Sequence, residues 1–287
     1  MTLLLKTGAI SSNLNLPVFN PSALELAVAK ISGLTAWLEG DEKYIQSSGG
    51  ILSAWIDRLK MRAFVTSGSL NPNVVSPAGV GSHPSRRALR FGFGGSLTSS
   101  SNIALKAQDE ASVDLLGPSY TICGVIRCPI WQVDGGTELP AGIGSGAIFG
   151  NGINTTYMSI GVSSGKSYRW ANNTALGTMI NASSPVISDG LWHYVVASYD
   201  TVSKLAVIRL DGVQVLTKTS VTEELVASSG GLKPRIGGSG LTGSQSRFFG
   251  DMGAAFTLTK PLAAAANAND LATLESYLAL IKGEMAA

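Results

Sequence analysis

The stretch Asp189–Gly212, DGLWHYVVASYDTVSKLAVIRLDG, followed at once by VQVLTKT at 213–219, decides the fold. It reads as a strand, a loop, a strand, a two-residue Asp211-Gly212 turn and a returning strand. Asp-Gly between apolar runs marks a hairpin, because both central residues of a type I′ turn need positive φ. With Leu210 facing Val213, the register sets Ile208 against Val215 and Ala206 against Thr217, while Arg209 and Gln214 share the other face. A slip of one residue would reverse every placement. The stretch is thus an antiparallel sheet with one buried face.

At 287 residues the chain can hold one large β domain with appendages, or two small domains. Charged residues make up only 14%, against the usual quarter or so for soluble domains. Two explanations stay open: a surface covered by partners, or a large core with Ser, Thr, Asn and Gly loops. The 34 glycines fit an all-β fold rich in turns. A net charge of +2 argues against nucleic acid as a partner. Arg86, Arg87 and Arg90 form the one basic cluster, and without interleaved aromatics it reads as a solvated strand end. No window approaches the ~20 apolar residues that span a bilayer. The N-terminus lacks the basic start, long apolar core and cleavage site of a signal peptide. The sequons at Asn154, Asn172 and Asn181 read as chance in an Asn/Ser/Thr-rich chain. Cys123 and Cys128 lie an odd number of residues apart on one strand, which sends them to opposite faces as two buried thiols rather than a disulfide.

Residues 1–20 show no regular period and read as an extended arm. In the helix that follows, Ser22 and Glu25 are spaced as a capping box. Leu24, Ala27, Val28 and Ile31 share its face, and Gly33 closes it. Residues 34–60 carry two Trp-bearing segments around a Ser-Ser-Gly-Gly turn, and 66–85 reads as a long loop. From Arg86 onward, short strands recur with Gly, Asn or Ser between them, which predicts a two-sheet sandwich. A second helix is expected from Asp270 to Lys282, with Leu271, Leu274, Leu278 and Ile281 as its stripe and Gly283 ending it.

The run DGLWHYVVASYD with LAVIRLDG resembles the laminin-G-like, concanavalin A-like jelly roll. ALRFGFGG at 88–95, LKPRIGGS at 232–239 and FFGDMGAAFTLTKPL at 248–262 resemble further motifs of that family, in its order. LTAWLEGDEKYIQSSGGILSAWIDR at 34–58 and LATLESYLALIKG at 271–283 resemble segments bracketing such jelly rolls in virion structural proteins of tailed bacteriophages. One departure is Asp57-Arg58-Leu59-Lys60, which lacks the family's usual glycine. The resemblance covers 34–283. It implies an all-β, two-sheet antiparallel jelly-roll sandwich with an N-terminal arm, a short N-terminal helix and a C-terminal helix. The expected organisation is an arm and helix at 1–33, a connecting segment at 34–85 and the jelly roll with its helix at 86–287.

This architecture hosts glucanases, lectins and inert modules alike, so function must be sought in residues. A retaining glycosidase needs two carboxyls ~5–5.5 Å apart. The one candidate, Glu39-Gly40-Asp41-Glu42, reads as a surface loop outside the sandwich strands. His193 reads as a strand histidine hydrogen-bonded within the sheet, since catalysis would need an adjacent Asp or Ser and no nucleophile elbow occurs. His83 precedes a proline in a loop. Asp134, Asp189, Asp200 and Asp251 are scattered, so neither a metal nor a cofactor is expected. Tyr168, Trp170, Asn172 and Asn173 form the best aromatic-and-amide cluster for a sugar, although Tyr168 and Trp170 also suit alternating core positions.

The expectation is therefore a non-enzymatic phage virion protein, such as a capsid decoration, head-fibre or tail-fibre component, made in the host cytoplasm and displaying its jelly roll. Leu3, Leu4, Leu5, Leu14, Leu16, Val18 and Phe19 of the arm would bury apolar area in other virion proteins (major capsid or tail subunits) or in a symmetric homo-oligomer. The alternative is a carbohydrate-binding, lectin-like module for host-surface glycans.

Overall fold

A computed structural model describes residues 21–66, 71–76, 86–91, 104–109, 114–128, 189–219, 234–238, 248 and 250–286, and the backbone of 145–151, 157–163, 167–173 and 178–182. In chain order the elements are α1 (Ala23–Ala29), β1 (Leu34–Glu39), β2 (Ile45–Ser48), β3 (Ile51–Ile56), β4 (Ala63–Thr66), β5 (Asn73–Val75), β6 (Ala88–Phe91), β7 (Leu105–Ala107) and β8 (Tyr120–Arg127). There follow β9 (Ser145–Asn151), β10 (Tyr157–Ser163), β11 (Ser167–Asn173), β12 (Thr178–Ala182), β13 (Trp192–Asp200), β14 (Leu205–Leu210), β15 (Val213–Lys218), β16 (Pro234–Ile236), β17 (Gly250–Leu258) and α2 (Ala268–Ala286).

All pairings are antiparallel and resolve into two layers. The first runs β1-β17-β8-β13-β14-β15, with β6 continuing the β1 side of β17. The second runs β2-β3-β4-β7-β16-β9-β10-β11-β12. β5 pairs with both β3 and β6 and so joins the layers. Thus the described residues of 34–85, whose place relative to the sandwich the sequence leaves open, contribute five strands, and the stretch read as a loop at 66–85 contains β5.

Two apolar clusters hold this together. Between the layers lie Leu38, Trp55, Phe64, Leu105, Ile122, Ile126, Val195, Ile208 and Phe248, among others. Behind the first layer, Cys123, Val125, Val196, Ala254 and Phe256 meet Val28 of α1 and Leu274, Tyr277, Leu278, Ile281 and Met285 of α2. The first layer is therefore covered on both faces, which is why all nine residues of β17 are buried. Each large apolar side chain so buried contributes about 1.5–3 kcal/mol before entropy is charged against it. The two cysteines fall on opposite faces as expected, Cys128 in the first cluster and Cys123 in the second, both free.

The hairpin that opened the reading forms as a left-handed pair, Asp211 at φ 48° and Gly212 at φ 81°. Its first two pairs, Leu210 with Val213 and Arg209 with Gln214, are as expected. Beyond them the register differs, because a β-bulge sets Ile208 against Leu216 and Ala206 against Lys218. The extra residue is Val215, which stays partly exposed while Leu216 is buried. The bulge thereby places the larger aliphatic chain in the core, which strict alternation would have turned outward.

Helix α1 has both halves of its capping box, Glu25 N–H to Ser22 Oγ and Ser22 N–H to Glu25 Oε2. Helix α2 starts two residues before the expected Asp270 and runs on through Gly283. The extension has a cause in β17. Gly253 leaves a notch beside its Cα, and Met285 fills it, with Met285 Cε 2.6 Å from where a Cβ on Gly253 would stand. Docking Met285 in that notch outweighs the ~1 kcal/mol a helix loses to an internal glycine.

Candidate functional site

Glu39 does not lie in a surface loop. It ends β1, is 1% exposed, and sits at the centre of a charged network beneath the terminal helices. Arg58 and Arg86 both pair with it, and Tyr277 of α2 donates its hydroxyl to Glu39 Oε1 at 2.9 Å. Arg58 also pairs with Glu25 of α1 at 2.7 Å, donates to Tyr277 Oη at 3.0 Å, and stacks over the Trp37 ring at 4.2 Å. Arg86 reaches Glu284 near the end of α2. Burial would lower the pKa of both guanidiniums, but Glu39 and their other partners outweigh it and raise them, so both stay charged. Burial and Glu39 push the Tyr277 hydroxyl up, which keeps it a donor.

Asp41 caps the short 3-10 turn Glu42–Tyr44, and Glu42 pairs with Arg87. Each acid of the expected 39–42 set is thus tied to its own cation or backbone amide. The basic cluster differs from expectation in the same way. Arg86, Arg87 and Arg90 are not a solvated strand end but pair with Glu39 and Glu284, with Glu42, and with Asp251 respectively. Asp251 is buried between Arg90 and Arg127, its register partners on either side. The Arg127 guanidinium in turn lies 4.9 Å over the ring of Trp192.

The turn at Asp57–Lys60 is closed without a glycine. Asp57 accepts the backbone N–H groups of Trp37, Leu59 and Lys60, and Met61 takes φ 54°.

His193 is bonded not to the sheet but to two carboxylates. Its Nδ1 lies 2.7 Å from Asp211 Oδ2, and its Nε2 lies 3.0 and 3.1 Å from the Asp189 oxygens. Asp211 also accepts the Tyr194 N–H at 3.0 Å and pairs with Lys282 of α2 at 2.9 Å. Burial alone would lower the imidazole pKa, but the bonds to Asp211 and Asp189 outweigh it and raise it. The protonated ring therefore adds stability in full below the ordinary value near 6.5, and that stability is lost as pH rises through the folded-state value.

Of the scattered acids considered for calcium, Asp200 organises its own loop through Ser203 and the Val202 amide, and Asp189 and Asp251 are engaged as above. Asp134 lies outside the described residues, as do His83 and the arm residues Leu3, Leu4, Leu5, Leu14, Leu16, Val18 and Phe19. Among the described residues no group of His, Cys, Asp or Glu is arranged to hold a metal ion. A shallow depression of about 210 Å3, lined by Arg62, Ala63, Gln108 and Asp109, is smaller than the sites that enclose small molecules.

The sugar candidates lie on β11 of the second layer, described in its backbone. The register sets Tyr168 between Val162 and Ala182, Trp170 between Ile160 and Ile180, and Asn172 between Met158 and Thr178. Asn173 falls on the alternate face with Arg169, whose partners are Gly161 and Asn181. Residues 167–173 thus place an aromatic pair in apolar company on one face, and an arginine with amide and small neighbours on the other.

Compared with protein-family profiles and with curated protein sequences, the chain matches none. Its fold is shared with solved structures. A structure of botulinum neurotoxin type C, whose cell entry depends on interaction with two ganglioside molecules, aligns at TM-score 0.51 and 13% identity over 86% of this chain. The alignment spans 51% of the toxin chain. Trypanosoma rangeli sialidase aligns over 85% of this chain and 33% of its own, at TM-score 0.46 and 14% identity. A CBM40 domain of the Ruminococcus gnavus IT-sialidase, bound to α2,3 sialyllactose, aligns over 59% of this chain and 85% of its own, at 0.41 and 10%. The toxin alignment establishes the concanavalin A-like antiparallel sandwich; the other two are too distant to carry an argument.

Proposed function

We propose that the chain is a non-enzymatic carbohydrate-binding module that takes its glycan on the second layer, around β11. The observation that carries this reading is the asymmetry of the sandwich. Among the described residues, both helices pack on the first layer, and the strands β9–β12 have no helix against them. That is where aromatic, amide and guanidinium residues gather on one strand, the residue types that stack on sugar rings and bond their hydroxyls. The toxin of similar fold, with its dependence on two ganglioside molecules, supports the same reading. The acids of the 39–42 set are each tied to a cation or a backbone amide, which favours binding over acid–base catalysis.

The test is a glycan array probed with the full chain and with Trp170→Ala and Arg169→Ala, which lie on opposite faces of β11. One of the two is expected to weaken binding at least tenfold with unchanged thermal unfolding, and which one does so identifies the face. A blank array for the unaltered chain overturns the reading.

A second reading, virion display, rests on the two flanking segments that resemble phage virion proteins. Those segments meet in one place, since Glu39 and Arg58 from 34–58 bond Tyr277 from 271–283. On this reading the protein resides on the particle, with residues 1–20 joining capsid or tail subunits or further copies of itself. Deleting 1–20 is then expected to leave a folded sandwich that no longer enters particles. Normal incorporation of the shortened chain overturns it.

A further inference from the structure

The cluster around His193 joins three separate parts of the chain. Asp189 belongs to the turn entering β13, Asp211 to the β14–β15 turn, and Lys282 to α2. An imidazole that bonds a carboxylate through each nitrogen needs both N–H groups, which only the protonated ring has. When the ring loses a proton, one nitrogen is left presenting a lone pair to a carboxylate about 3 Å away.

We propose that His193 is a proton-operated latch. Doubly protonated, it ties the 189–191 turn to Asp211 and so to α2; singly protonated, it lets Asp189 go. Asp189 is the side that releases, for two reasons. Asp211 keeps the Tyr194 N–H and Lys282 whatever the state of the ring, and its pKa is held down against burial by His193, that N–H and Lys282. Among the described residues, Asp189 then keeps only the Leu191 N–H of its own turn, and it is the more exposed of the two acids.

The other charged groups beside the β14–β15 turn do not compete for the ring. Arg209 is committed to Glu275 of α2 and to the Gly212 carbonyl. Across β13, the residue paired with His193 on β8 is Ile126, and Arg127 is committed to Asp251. The thiol of Cys128 stays protonated, since burial and then Asp189 raise its pKa. What holds the turn once the latch opens is the Gly190 N–H to Cys128 carbonyl bond at 3.0 Å, at the end of β8. Release of Asp189 therefore loosens the point where the connection from β12, in the second layer, enters β13 in the first.

The experiment is an NMR titration of the full chain, following the His193 ring and Gly190 amide exchange, with His193→Gln distinguishing it from His83, the other histidine. The ring is expected to titrate above the ordinary value near 6.5. Asp189→Asn is expected to lower that midpoint. Gly190 exchange, corrected for hydroxide catalysis, is expected to rise at least tenfold across the transition in the unaltered chain and not in Asp189→Asn. Asp211→Asn, if it folds, is expected to lower the midpoint further. A ring titrating at or below the ordinary value overturns the latch, as does a midpoint unmoved by Asp189→Asn, or Gly190 exchange that follows hydroxide alone.

Discussion

Replacing Arg58 by alanine is expected to destabilise the fold by about 3–5 kcal/mol, the cost of breaking a buried ion pair from one side. Arg58 has a side-chain exposure of 6% and Glu39 of 2%, so water cannot take over the lost partner. The substitution also removes the cation over the Trp37 ring and the donor to Tyr277. Glu39 then keeps Arg86 as its cation and the Tyr277 hydroxyl as a neutral donor, both on Oε1, while Oε2 loses its partner. Urea unfolding followed by tryptophan fluorescence reads the effect as a lower midpoint at unchanged slope. Pairing the change with Glu39→Gln is expected to recover part of the loss, because the unpaired buried carboxylate is then gone. A loss below ~1 kcal/mol for Arg58→Ala would mean that the network behaves as an exposed salt bridge and does not clamp the helices.

Gly40→Ala is expected to cost about 3 kcal/mol, at the upper end of overpacking. Gly40 bridges two edges: its N–H bonds the Gly253 carbonyl, and its carbonyl accepts the Arg87 N–H, each at 2.7 Å. A Cβ there would overlap the Arg87 carbonyl oxygen and lie 2.8 Å from that of Gly253, both backbone atoms. No rotamer change can relieve this, so the join between β1, β6 and β17 must shift. Gly283→Ala is the matched control. That position lies inside α2 with nothing within 4 Å of an added Cβ, so alanine should stabilise by about 0.5–1 kcal/mol. Thermal unfolding of the two variants should move in opposite directions. A neutral Gly40→Ala would show that the approach of the three strands is not tight.

How far the sequence reveals this molecule depends on how local each interaction is. The Asp211-Gly212 hairpin and the Ser22–Glu25 capping box were legible because their determinants lie within a few residues. The bulge at Val215 was not, since the choice between Val215 and Leu216 is made by the core across the sheet. Asp189 and Asp211 lay within the decisive stretch, yet alternation alone does not show that two turns converge on one imidazole. The Glu39 network was least legible: Glu25, Glu39, Arg58, Arg86, Tyr277 and Glu284 come from both ends of the chain, and no spacing rule joins them. The same holds for α2, which outruns its expected stop because of a glycine on β17. For the β11 candidates, the sequence gives the alternation and the register gives the neighbours, while the choice of face falls to the glycan experiment.

The position of β17 between β1 and β8 has a consequence for biosynthesis. The earliest strand of the first layer finds its neighbour only after more than two hundred further residues have left the ribosome. At ~5–20 residues per second, Leu34–Glu39 waits on the order of 10–40 s with its pairing groups unmet. During that interval the nascent chain carries a bare apolar strand, and the two members of the charged clamp that α2 supplies, Tyr277 and Glu284, have not yet been translated.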